Sequence, residues 1–123
     1  MELKVIIDKK EPVTIHALVK DSTQVFISDT SMRVIFGKSA HLQITEKSVL
    51  ACVEDLCVPY SKKSKKNDVL EENKIWYINL GMFSQTIGKR MKWLEEGKSI
   101  EIISLDKKSL GISETKEQNI TKL

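Results

Sequence analysis

Arginine is nearly absent from this 123-residue chain: of its 20 basic residues only Arg33 and Arg90 carry a guanidinium, and the rest are lysine. Bidentate recognition of phosphate or guanine therefore has very few donors, which argues against sequence-specific reading of base edges. Long apolar runs are missing too. None approaches the roughly 18 to 20 residues that cross a bilayer as a helix, so no membrane partner is expected. The N-terminus carries Glu2 at once and no sustained apolar stretch follows, so a secretory signal is not expected and the chain reads as cytoplasmic (intracellular). Five glycines and two prolines are few; with the lysine excess they read as the compositional bias of an A-rich genome rather than as a function.

Cysteine is limited to Cys52 and Cys57, and histidine to His16 and His41. A tetrahedral zinc site would have to take all four, yet they lack the paired C-x₂-C or H-x₃-H knuckle of such sites. No metal and no other cofactor is expected. A nucleophilic enzyme would need one of these thiols beside a histidine oriented by an acid, and nothing in their local sequence builds that arrangement. Gly37-Lys38-Ser39 and Gly97-Lys98-Ser99 resemble the end of a phosphate-binding loop, but the required earlier glycine is Met32 in one case and Lys92 in the other. They read as a turn and as a helix C-cap. The sequon Asn119-Ile120-Thr121 has meaning only in a secreted chain. The chain reads as non-enzymatic.

What is present is an ordinary globular composition, 41% hydrophobic and 30% charged with a net charge of +3. That supports one core, hence a single α+β domain over residues 1–110, followed by a polar C-terminal tail, 111–123, expected to be flexible. Val5 and Ile7, then Val13 to Val19, Val25 and Ile27, Met32 to Phe36, and Leu42 and Ile44 alternate with period two, predicting strands. Residues 48–60 fit a helix or a hairpin; the hairpin, with Glu54-Asp55 as its turn, sets Cys52 opposite Cys57. A disulfide is open there, but two reduced, buried thiols fit an intracellular chain better. Residues 61–73 predict a mobile loop, and residues 75–78 and 99–105 two further strands.

Residues 79–97 predict one long amphipathic helix, about 80–96, with Asn79 as N-cap and Gly97 as C-cap. At 100° per residue Leu80, Phe83, Ile87, Met91 and Leu94 share an inward stripe, leaving Met82, Gln85, Lys89, Lys92 and Trp93 outside. The expected fold is an antiparallel β-meander or small open barrel packed by this helix and completed by a closing strand. The outward face then offers apolar anchors, Met82 and Trp93, inside a cationic rim that includes Lys89, Arg90 and Lys92. This predicts a small binding protein acting through protein–protein interaction, as a homodimer, a complex subunit or a modulator of a larger machine. The alternative is a module for single-stranded nucleic acid, with Lys62, Lys63, Lys65 and Lys66 on phosphates and Trp93 stacking on a base. One member of the Trp76-Tyr77 pair is expected in the core and the other at the surface, because adjacent strand residues face opposite ways.

Overall fold

The computed structural model describes residues 1–21, 23–95 and 97–104. The expected tail over 111–123 and the end of the expected closing strand lie outside them. In chain order the elements are β1 (Glu2–Ile7), β2 (Val13–Lys20), β3 (Gln24–Ile27), α1 (Asp29–Phe36), β4 (His41–Ile44), β5 (Ser48–Val53), β6 (Leu56–Ser61), β7 (Val69–Glu72), β8 (Ile75–Asn79), α2 (Leu80–Thr86), β9 (Lys89–Glu95) and β10 (Ser99–Ser104). They form a seven-stranded sheet ordered β7, β8, β3, β2, β1, β10, β9 and a three-stranded sheet ordered β4, β5, β6.

Period-two alternation builds the large sheet's buried face. Leu3 lies opposite Ile15, Val5 beside Ile100, and Ala17 opposite Ile27, and all six are buried. Against that face pack Met32 and Ile35 from α1, Leu80 and Phe83 from α2, and Val49, Ala51 and Tyr60 from the small sheet. The Phe36 and Phe83 rings meet edge to face at 5.5 Å, the geometry aromatic quadrupoles favour. No helix among the described residues is long and apolar enough to cross a membrane.

The long helix expected over 80–96 is corrected. Asn79 does cap a helix, its side-chain oxygen accepting the Met82 N–H at 3.1 Å, but α2 is only seven residues long. Ile87 N–H bonds Phe83 O, Gly88 N–H bonds Gln85 O, and Gly88 then turns the chain at φ +81°, where side chains are disfavoured. Lys89 to Glu95 then pair with β10, Met91 opposite Ile102 and Trp93 opposite Ile100. Positions 83, 87 and 91 satisfy a helical spacing while 89, 91 and 93 satisfy a strand; ladder bonds to β10 decide between them. Leu94, expected inside, is 48% exposed. Gly97 sits in the β9–β10 turn at φ +78° rather than capping a helix.

Four smaller corrections have equally local causes. The alternation over Met32 to Phe36 belongs to α1, because Met32 and Ile35 also share a helical face and both are buried. The loop expected over 61–73 contains β7, which turns into β8 through Asn73 and Lys74, both at positive φ. The sheet is not purely antiparallel, since β1 and β10 run parallel. The hairpin over 48–60 forms as expected, Glu54 taking φ +55° in its turn, but Cys52 and Cys57 are joined in a disulfide instead of being free thiols.

Candidate functional site

The shortness of β3 leaves an open cleft between the two sheets. Its only pairs with β8 are Phe26 with Asn79 and Ile27 with Ile78, after which the chain turns at Ser28 into α1. The first half of β8, Ile75 to Tyr77, is thus left without a strand on that side. Across the gap stands β4, an edge strand of the small sheet. Between them lies a cleft of about 550 Å³, floored by Ser28, Asp29 and Thr30 and walled by Leu42 and Ile44 on one side and Lys74, Ile75 and Trp76 on the other.

Its walls are apolar and wet. Ile44 is 47% exposed and Ile75 48% exposed, two of the most exposed large apolar side chains among the described residues, and Trp76 is half-buried between them. Tyr77, one residue on, faces the other way and is buried, which answers the alternation expected of this pair. The one acid in the cleft is already engaged: Asp29 accepts the Leu42 N–H at 2.7 Å and pairs with Arg33 one helical turn on. Cations rim the opening. The Lys62 ammonium lies 5.1 Å from the centre of the Trp76 ring, a cation–π contact worth ~0.5–1 kcal/mol at an exposed site. Lys62, Lys63, Lys65, Lys66 and Lys74 form no ion pair with any described residue. Glu71, directly opposite Trp76 on β7, is the nearest exposed acid by register.

The lysine loop between β6 and β7 is held in place. Lys62 N–H donates to Lys47 O at 2.9 Å, Ser64 Oγ donates to Asp68 Oδ2 at 2.7 Å, and Asn79 Nδ2 donates to Asn67 O at 3.1 Å. Lysines 63, 65 and 66 stand exposed on this frame. The expected helical contact face is dispersed instead. Met82 is half-buried on α2 while Lys89, Arg90, Lys92 and Trp93 belong to β9, where Arg90 and Lys92 point to one side and Lys89 and Trp93 to the other. Lys89 donates to Ser104 Oγ at 2.7 Å and Lys92 pairs with Glu101 at 3.7 Å. The Trp93 ring packs against the core and its indole N–H donates to Thr23 O at 3.1 Å.

Ile44 and Ile75 lie at the ends of strands that alternation predicts and Lys74 lies in the turn before β8, so their exposure depends on what the neighbouring chain does and not on periodicity. Trp76 carries a visible signal, an aromatic pair in one strand, but nothing in the sequence ties it to Lys62 fourteen positions earlier. Among the described residues no three of His, Cys, Asp and Glu converge as metal ligands would. His41 Nδ1 lies 2.9 Å from Ser39 O, His16 is exposed on β2, and both sulfurs are spent on the disulfide. The Ser104 N–H and hydroxyl both donate to Asp8 and hold its carboxyl below its ordinary value. Comparison with family models, with curated protein sequences and with solved structures finds no match to this chain.

Proposed function

We propose that this chain is a small, non-enzymatic protein-interaction module whose contact surface is the cleft between β4 and the β7–β8 hairpin. One observation carries the reading: two exposed side chains, Ile44 and Ile75, and the half-buried Trp76 line a single cleft, with Lys74 at its wall and Lys62 over the indole, neither in an ion pair with a described residue. Scattered exposed apolar residues are unremarkable on a protein surface, but a contiguous apolar set with a polar rim has the anatomy of a contact site. A half-buried tryptophan at its centre is the residue type that most often dominates binding energy. The test is affinity capture from an extract of the source cells, paired with light-scattering mass at two concentrations. The wild-type chain retains a partner or raises its mass with concentration, and Trp76→Ala loses either property while melting within a few degrees of wild type. A strict monomer whose captured proteins are the same with and without Trp76 contradicts the reading.

Lys62 against the Trp76 indole also favours a second reading, a site for single-stranded nucleic acid in which the lysines of the β6–β7 loop neutralise phosphates and Trp76, rather than Trp93, stacks on a base. It predicts affinity for an oligothymidine that falls steeply with salt. The small net charge, Glu71 beside the ring and the scarcity of arginine favour the protein partner.

A further inference from the structure

If the cleft is the contact surface, as proposed above, its backbone states what kind of segment fits it. Bonding in an antiparallel ladder alternates, so one bond fixes the direction of every other group along a strand. Asn79 N–H donates to Asp68 O toward β7. Ile78 and Trp76 therefore direct their N–H and C=O the opposite way, and Ile78 alone meets β3, at Ile27. The Trp76 amide and carbonyl are aimed at the place β3 has vacated. On the other wall, Leu42 N–H points away from β5 to Asp29, while Thr45 N–H points toward β5 at Ser48 O. Ile44, two residues from Leu42, directs its N–H and C=O into the same opening. Neither Trp76 nor Ile44 has a backbone partner there among the described residues.

We propose that the cleft binds an extended, acidic segment of a partner protein by strand addition, its backbone bonding to Trp76 on β8 and Ile44 on β4. Unpaired edge groups supply sequence-independent bonds, and side-chain pockets on alternate positions supply selectivity. Trp76 on β8 and Ile44, on the Leu42 face of β4, call for apolar residues at every second position of the segment, whereas Ile75, adjacent to Trp76, faces the other side of the sheet. Lys62, over the Trp76 ring, and Lys74, in the turn before β8, form no ion pair with described residues and call for carboxylates in the segment beside its apolar positions. Asp29 is offset by Arg33, and Glu71, opposite Trp76 on β7, is the one exposed acid by register that opposes a carboxylate there, against the two cations Lys62 and Lys74.

The test is backbone amide exchange of the full chain by NMR, with and without an acetylated nine-residue peptide that alternates valine and aspartate. Saturable binding, with exchange at Trp76 or Ile44 slowed at least tenfold, is expected. Lys62→Glu with Lys74→Glu, both at exposed or half-exposed positions, should weaken the peptide at least tenfold and leave the fold intact. Binding that slows neither amide overturns strand addition, and equal binding of a valine–lysine peptide overturns the acidic preference. An oligothymidine that binds where the peptide does not overturns the protein partner in favour of nucleic acid. The two levels separate cleanly: partner capture lost in Trp76→Ala, with both amides unprotected by the peptide, defeats strand addition alone, whereas capture that survives Trp76→Ala defeats the contact surface itself.

Discussion

At the scale of single residues both tryptophans are half-buried against the core and differ in their polar contacts. Trp93 is held by register opposite Ile100 and by its bond to Thr23, whereas Trp76 lines the cleft with the Lys62 ammonium over its ring. Gly88 is the residue that decides the placement of Trp93, since its φ of +81° ends α2 and starts β9. A methyl group there would meet no atom within 4 Å, so the cost of Gly88→Ala is conformational, about 1–2 kcal/mol on chemical unfolding. An unchanged midpoint would mean the helix continues through position 88. Asp8 links the β1–β2 turn to the end of β10 through two bonds from Ser104 at 2.7 and 2.8 Å. Its pKa is lowered in the fold from an ordinary 3.8, chiefly by the Ser104 N–H, next by the Ser104 hydroxyl, and further by Lys89 and Lys10. A carboxylate with depressed pKa adds stability that is fully present above its unfolded value and lost as pH falls through the folded one. Acid unfolding of Asp8→Asn should therefore show a smaller loss of stability below pH ~4 than wild type does, and NMR titration of the wild-type carboxylate should give a value below 3.8.

At the scale of elements, α2 packs on the large sheet at β3, β8 and β9 and meets α1 through Phe83 and Phe36. Phe83 is fully buried and meets Phe36 edge to face, so Phe83→Ala should cost about 3–5 kcal/mol in a denaturant melt and Phe83→Asp should prevent folding. The Cys52–Cys57 bond closes a short loop at the tip of the β5–β6 hairpin. Its removal in the double Cys→Ala variant should cost about 2 kcal/mol on the loop-entropy estimate, with no effect on cleft binding. Much of the β structure was legible because period two is unambiguous where one face is buried: Leu3 and Val5, Ile15 and Ala17, Ile100 and Ile102 all declare it. The hairpin at Glu54-Asp55 was less plain, because residues 48–60 also suit a helix, and the pairing of Cys52 opposite Cys57 belongs to the hairpin alone. The helix boundary was not, because Phe83, Ile87 and Met91 suit either period and only the long-range pairing of β9 with β10 breaks the tie. The parallel contact of β1 with β10 joins strands more than ninety residues apart, a relation that no local pattern encodes. The cleft shared this fate: its walls come from β4 and β8, and its openness depends on β3 stopping at Ile27.

At the scale of the whole molecule, two sheets share one core, and the place where their edges fail to meet is where Ile44 and Ile75 reach water beside Trp76. Lys62 and Lys74 lie at that place, while Lys20, Lys92 and Lys98 elsewhere are paired with Glu72, Glu101 and Glu95. Electrostatic attraction is therefore directional even though the net charge is only +3, and association with an acidic partner should slow as salt rises through the physiological range. Stopped-flow association rates at two ionic strengths check this, with a salt-independent rate as the contrary outcome. The most direct measurement of the account compares two single-tryptophan proteins, Trp93→Phe and Trp76→Phe, titrated with the valine–aspartate peptide and followed by emission. The indole at position 76 should shift and become protected from acrylamide while the indole at position 93 stays unchanged; a response confined to position 93 would contradict the account.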